Sequence, residues 1–287
     1  MNATAKREST TARAIRIAAR ALVKGLPRET RSSRNLPNQA AIAWVAHQFH
    51  HVILTNKVML DEVVDLLHPE LVCAFTTATR STGKASASAD RSMIALIRAL
   101  PKIQKLLLID LEGAFNRDPA AKTRAEIVLC YPGIRALCVH RIAHEIQRLG
   151  VPLIGRMLAE SAHDSTGIDI HPGATIGAGC FIDHGTSVVI GETAVIGKNC
   201  TIYQGVTLGA RRFDRHIDGS LRRGSKRHPT LKDNVTVYAN ATILGGDTVI
   251  GKGSTIAAGA LVQESVPANS IVRPARVELS VARSRTT

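Results

Sequence analysis

From Ile170 to Val262 an aliphatic residue returns at every sixth position, often followed by glycine. Ile170, Ile176 and Ile182 form one register; Ile190, Ile196, Ile202 and Leu208 form a second; Leu231, Val237, Ile243, Val249 or Ile250, Ile256 and Val262 form a third. A helical face repeats at 3.6 residues and a pleated strand at 2, so neither explains a period of six. Six residues suffice for one short strand and one tight turn, and about three such units close a triangular coil of a parallel β-helix. The aliphatic side chain fills the prism and its small neighbours let the backbone bend. No such unit is stable alone, so the remaining chain is expected to cap the stack.

The expected fold class is α+β, an N-terminal α-helical domain followed by a left-handed parallel β-helix. Four segments follow: a basic lead at 1–36 with the composition of a disordered segment, a helical domain at 37–164, the β-helix at 165–266 with an excursion at 210–227, and a tail at 267–287. A first helix is expected over Ala40 to Leu67, ended by His68-Pro69, after an amphipathic stretch carrying Ile15, Ile17, Leu22 and Val23. Ser81 to Asp90 has a loop composition, and helix resumes over Ser92 to Leu111 with an interruption near Pro101. Asp118-Pro119 reads as a helix start, with aspartate as N-cap and proline at the first helical position. That helix breaks at Pro132-Gly133, resumes from Ile134 to Leu149, and a short one follows from Pro152 to about His163.

The 287 residues carry a formal net charge of +14, concentrated in two places. Nine basic residues lie between Lys6 and Arg34, and seven between Arg211 and Arg227. The first cluster reads as a solvated surface, and the second suits an anionic ligand. Aromatic residues make up 3%, which argues against recognition of single-stranded nucleic acid by stacking. Five cysteines without a C-x-x-C pair indicate neither a disulfide framework nor a zinc knuckle, and fit a reducing cytoplasm. No apolar run has transmembrane length. The Arg-, Ser- and Ala-rich start also has the composition of an organellar transit peptide.

Polar residues stand out where the repeat wants small or apolar ones: Asp169 and His171, Asp183 and His184, and Glu192. Imidazole titrates near pH 6.5, and a carboxylate on its far nitrogen fixes the tautomer, so a histidine with a nearby carboxylate can act as a general base. The fifteen residues between Asp169 and His184 approach one coil of about eighteen; surface turn residues would show the same pattern. His140 and His144, at i and i+4, read as a structural or substrate-adjacent pair, lacking a third metal ligand. His47, His50 and His51 read as a wet helix face, and no metal site is indicated.

The runs Asp169-Ile170-His171-Pro172, Ile182-Asp183-His184-Gly185-Thr186, Val189-Ile190-Gly191-Glu192-Thr193, Gln204-Gly205-Val206-Thr207-Leu208-Gly209 and Arg227-His228-Pro229 closely resemble those of serine O-acetyltransferases. The resemblance covers roughly residues 115–265, including Arg117-Asp118-Pro119-Ala120 and Arg141-Ile142-Ala143-His144. It implies that His184 deprotonates the hydroxyl of L-serine, with Asp169 orienting the ring, for direct attack on the thioester of acetyl-CoA. Asp118 and Asp183 would meet the substrate ammonium, Arg227 and His228 its carboxylate, and Glu192 would give polar support. The pantetheine arm would lie in a groove between neighbouring subunits, close to Gly209, Ala210, Ala239 and Ala258, with the basic excursion as a clamp for CoA phosphates. Assembly would be a homotrimer, with the helical domain available to pair trimers into hexamers.

The chain departs from the family pattern in several places, and one extra residue stands between Ile243 and Ile250 relative to a strict six. The usual glycine-rich excursion is replaced by Arg211 to Lys226, and the usual Gly-x-Pro-Ala-Arg reads Val272 to Arg276. The terminal isoleucine that docks family members into O-acetylserine sulfhydrylase is missing, so no stable complex with that enzyme is expected. Three readings stay open beside serine acetyl transfer: acyl transfer to another hydroxyl or amine, a prism-based carbonic anhydrase, and a non-catalytic basic scaffold.

Overall fold

The computed structural model describes residues 36–55, 60–79 and 81–275. The basic lead with its amphipathic stretch, and the tail from residue 276 onward, lie outside the described residues. Among the described residues six helices come first: α1 Gln39–Leu54, α2 Leu60–Thr79, α3 Thr82–Arg117, α4 Arg124–Cys130, α5 Pro132–Arg148 and α6 Ile154–Thr166. Fourteen short strands follow, from β1 Ile168–Ile170 to β14 Ile271–Val272. All ladders among the named strands are parallel. They form three sheets, ordered β1-β4-β7-β10-β13, β2-β5-β8-β11 and β3-β6-β9-β12-β14, the three walls of a parallel β-helix of about five coils.

The six-residue column points inward as the period demands: Ile170, Ile176, Ile182, Ile190, Ile196, Ile202, Leu208, Leu231, Val237, Ile243, Ile250, Ile256 and Val262 are all buried. Between Val249 and Ile250 the structure selects Ile250, which is buried and pairs with Leu231. Two residues before most of these sits a second, smaller inward side chain, among them Ala174, Cys180, Ala194, Cys200 and Ala241. Two of the cysteines are therefore wall filler, and burial raises both thiol pKa values.

The helical region differs from the sequence expectation in ways that packing explains. The first predicted helix is two elements, α1 and α2, and His68-Pro69 does not end the second. Pro69 lies exposed inside α2 while Val63, Leu67, Leu71 and Ala74 keep an unbroken buried stripe. Burying that stripe outweighs the roughly 3 kcal/mol an interior proline costs, and solvent can reach the orphaned carbonyl. The expected loop at 81–90 is the first turns of α3, because Ala85 and Ala89 are small buried contacts at i and i+4, and α3 runs through exposed Pro101 without a break. Asp118 is the C-cap of α3 and not an N-cap. Its carboxylate accepts the Ala120 N–H in a local turn, and the next helix waits for Thr123, whose hydroxyl accepts the Glu126 N–H. The His47, His50 and His51 cluster is not uniformly wet: His50 is buried, and burial lowers its pKa to about 4.

Helix α5 is buried on most of its faces, His140 and Arg141 included, and lies between the other helices and the first coil. A buried ion pair locks this junction. The Arg141 guanidinium donates to both Asp110 carboxylate oxygens at 2.7 and 2.9 Å and to the Ile176 and Gly177 carbonyls at 3.1 and 2.9 Å. Asp110 also accepts the Gly179 and Cys180 N–H groups at 2.8 and 3.0 Å. A second strap is Arg117, which donates to the carbonyls of Gly179, Asn199 and Cys200 and to the Thr201 hydroxyl. Gly133 allows α5 to touch the coil: a Cβ there would stand 2.1 Å from the Ile182 carbonyl oxygen. Among the described residues no helix is long and apolar enough to cross a membrane. Asp110→Ala is expected to destabilise the fold by about 3–5 kcal/mol, since it strands a buried guanidinium, and the midpoint of denaturant unfolding measures it.

Candidate active site

A coil of the prism has three corners, and the polar residues gather at two of them. The turn from the third sheet to the first carries Asp183 and His184 at 183–187, Tyr203 in the next coil and Tyr238 in the one after. The turn from the first sheet to the second carries His171, then Glu192 and Thr193, then the whole excursion with Arg227 and His228. The two corners of one chain are separated by the width of the first sheet, on the order of 15 Å at about 3.3 Å per strand residue.

The His184 corner holds two residues more than the repeat allows, since Ile182 and Ile190 are eight apart. To fit them the backbone turns left-handed at His184, Gly185 and Ser187, with φ of 55°, 83° and 61°. A bulky residue in that region is uncommon and is held there by its surroundings. The result is a projecting imidazole, its side chain 70% exposed, with Nε2 3.8 Å from an Asp183 carboxylate oxygen. Asp183 is mostly covered, and burial raises its pKa, with the Asp118 charge adding and His184 opposing. Asp118 reaches this corner from the end of α3, and the Tyr131 hydroxyl donates to its Oδ2 at 2.5 Å.

Asp169 sits on β1 between buried Ile168 and Ile170, with its side chain on the outer face of the first sheet. Among the described residues no hydrogen bond or ion pair joins it to His184; the carboxylate within 4 Å of that ring is Asp183. Asp169 acts electrostatically on His171 instead, whose Nδ1 accepts the Gly173 N–H at 3.0 Å.

At the other corner Thr193 is the organiser. Its hydroxyl accepts the N–H groups of Arg227 and His228 at 2.9 and 3.1 Å and lies 2.9 Å from His228 Nδ1. The Thr193 N–H also donates to that Nδ1 at 3.1 Å, so Nδ1 is unprotonated and Nε2 carries the proton. Burial first, then Arg227 and Lys226, lower the His228 pKa to about 4, which leaves a neutral ring with one N–H donor. The ring rests on Gly191, where a Cβ would stand 2.1 Å from it. The Arg227 guanidinium is bound by Glu192, and this bond holds the Glu192 pKa below the usual carboxylate range.

The expected arm-lining residues divide in the same way. Gly209 and Ala210 lie where the first sheet enters the Arg227 corner, whereas Ala239 and Ala258 lie in turns of the His184 corner. His140 and His144 belong to the helix junction, where His144 Nδ1 is 2.8 Å from the Pro172 carbonyl. Among the described residues no group of three or more histidine, cysteine or carboxylate side chains gathers as for a metal ion. Sequence reading missed Tyr131 and Thr193. Thr193 stood inside the quoted Val189-to-Thr193 run, and Tyr131 had only its place before Pro132 as a signal.

The chain is 47% identical over 183 residues to a plasmid-encoded serine acetyltransferase of Synechococcus elongatus, covering 64% of this chain and 57% of that protein. It is 48% identical over 130 residues to a serine acetyltransferase of Mycobacterium tuberculosis, covering 45% and 53%. The chain thus spans little more than half the length of these curated relatives. A crystal structure of Entamoeba histolytica serine acetyltransferase 1 in complex with L-cysteine superposes with a TM-score of 0.69 at 32% identity, covering 93% of this chain and 100% of that one. The chain belongs to the serine acetyltransferase family. The serine acetyltransferase of Neisseria gonorrhoeae, solved in complex with serine, gives a TM-score of 0.57 at 26% identity over 82% of this chain and 95% of that one. A family model described as the hexapeptide repeat of succinyl-transferase matches residues 187–211, the stretch from the end of the His184 corner into the excursion.

Thr193→Val is expected to destabilise the fold by roughly 1–3 kcal/mol, because it leaves the Arg227 and His228 N–H groups without their acceptor. Thr193→Ser is expected to restore most of the loss, read as the urea midpoint of each variant.

Proposed function

We propose that this chain transfers the acetyl group of acetyl-CoA to the hydroxyl of L-serine, giving O-acetyl-L-serine and CoA. The observation that carries the reading is the division of the serine acetyltransferase residue set between two corners of the prism. One corner supplies a base and carboxylates, which suit a hydroxyl and an ammonium; the other supplies a guanidinium and a neutral imidazole N–H, which suit a carboxylate. An amino acid with a side-chain hydroxyl needs both. A single chain holds them on the order of 15 Å apart, so the working site is formed where one chain's His184 corner meets its neighbour's Arg227 corner, as a closed trimer allows.

In that site His184 takes the hydroxyl proton while the serine oxygen attacks the thioester carbonyl. The tetrahedral intermediate collapses, the C–S bond breaks, and CoA leaves with the proton that His184 returns to its sulfur. Asp169, on the outer face of the first sheet, stabilises and orients the imidazolium once the neighbouring chain closes the groove. Asp118 and Asp183 receive the ammonium. Arg227 exchanges part of its bond to Glu192 for the substrate carboxylate, and His228 Nε2–H donates alongside. The pantetheine arm runs past Gly209 and Ala210 of one chain and Ala239 and Ala258 of the next. The helical domain pairs trimers, and an enzyme with free cysteines that uses acetyl-CoA belongs in the cytoplasm.

His184→Ala and Arg227→Ala are each expected to abolish serine-dependent thiol release. Co-expressed in equal amounts, they are expected to regain about a quarter of wild-type turnover, since one site in four then draws both intact residues from different chains. No recovery in mixed trimers would show that the two corners do not share a site.

The excursion at 210–227 is the phosphate clamp. Its hairpin is set by an Arg215–Leu221 bridge, and beside it a cavity of about 310 Å³ is lined by Phe213, Leu221, Arg222 and Arg223 next to Arg227. Guanidinium groups beside exposed apolar side chains suit a phosphorylated nucleoside. Replacing Arg222 and Arg223 by alanine is expected to raise the KM for acetyl-CoA roughly tenfold or more while leaving that for acetyl-3′-dephospho-CoA nearly unchanged.

A further inference from the structure

The resemblance and the comparisons leave Tyr131 without a role, yet it makes a short contact to a carboxylate of the His184 corner. It occupies the single residue between α4 and α5, where its N–H bonds the Ile127 carbonyl at 3.1 Å and Pro132 starts the next helix. The residue is half-buried against the core, so its ring cannot swing freely. From this fixed post the phenol donates to Asp118 Oδ2 at 2.5 Å, while the Ala120 N–H donates to Oδ1 at 2.8 Å. Each oxygen of Asp118 therefore has one protein donor, and the carboxylate plane is held between them.

Asp118 needs this restraint. It is the C-cap of α3, its carboxylate has no further hydrogen bond or ion pair among the described residues, and it stands close enough to Asp183 to raise the latter's pKa. Two carboxylates at one corner repel, and an unrestrained one would turn toward solvent. The phenol offsets that repulsion with a donor, and its own pKa is held far above the usual range chiefly by the same bond. What remains on Asp118 is the set of lone pairs that face neither Tyr131 nor Ala120.

We propose that Tyr131 is a positioning residue that sets acceptor specificity: it aims Asp118 at the substrate ammonium and so selects hydroxy acids that bear an α-amino group over those that do not. The proposal rests on the reading of serine as acceptor. It needs no contact between Tyr131 and the substrate, and no effect of Tyr131 on acetyl-CoA.

The test compares L-serine with glycerate, which has a hydroxyl in place of the amine, in the wild-type protein and in Tyr131→Phe. Loss of a hydrogen bond to a charged group is expected to raise the KM for serine roughly 10- to 100-fold, with kcat changed far less. The preference for serine over glycerate should fall by the same factor, and the KM for acetyl-CoA should stay put. A double-mutant cycle with Asp118→Asn separates this role from a structural one: if Tyr131 acts through Asp118, adding Tyr131→Phe to Asp118→Asn changes the serine KM by less than about twofold. Additive effects, or a Tyr131→Phe serine KM within twofold of wild type, overturn the proposal. Should Tyr131→Phe prove unfolded by thermal melting, Asp118→Asn alone is compared with wild type: an unchanged preference for serine over glycerate also overturns the proposal, because Tyr131 then has no selecting carboxylate to aim. Absence of serine-dependent thiol release by the wild-type protein is a different outcome, and would remove the underlying reading instead.

Discussion

The closure of each coil governs this molecule. Three inward aliphatic side chains and their small companions fix the cross-section, and the parallel ladders stack one coil upon the next so that corners fall into columns. A residue in a turn is thereby assigned to one of three edges by its place in the count of six. The residues that project farthest into the site enter this lattice where the count is broken. It is broken by two residues before Ile190, by the excursion before Leu231 and by one residue before Ile250. The first break projects His184 and the second delivers Arg227 and His228. The third widens the turn at Gly245 and Gly246, which face the base of the excursion, Gly245 toward Arg211 and Gly246 toward Lys226 and Arg227.

This is why the coil was legible in the sequence and the helices were less so. The period depends on side chains meeting a neighbour of known geometry, six residues on, and every inward position followed the count. The helices obey tertiary partners that the local sequence does not name. Pro69 and Pro101 look like stops, but both fall on solvent-facing sides of helices whose buried stripes continue past them. Ala85 and Ala89 look like linker residues until another helix lies against them. Asp118 has the composition of an N-cap and makes the corresponding local hydrogen bond, yet it closes a helix.

The candidate site was legible by identity and not by arrangement. The acidic, basic and imidazole residues were visible as polar intrusions in an apolar repeat. Their division between two edges appears only once the strands are ordered, because corner membership depends on where each break falls. Tyr131 and Thr193 stayed hidden for a related reason. Neither is an acid or a base at neutral pH, and their work is to hold others in place through hydrogen bonds across 13 and 35 residues of sequence.

The strand pairing across the excursion carries a further meaning. Thr207 is in register with Thr242, and Val195 with Thr230, so the chain leaves the prism for twenty residues and resumes at the position it left. The lattice is indifferent to what happens in between. An edge of this kind lets a lineage lengthen, shorten or recharge its ligand-facing segment without disturbing the scaffold, and it offers the protein engineer a socket where foreign hairpins can be installed beside a ready-made pair of half-sites.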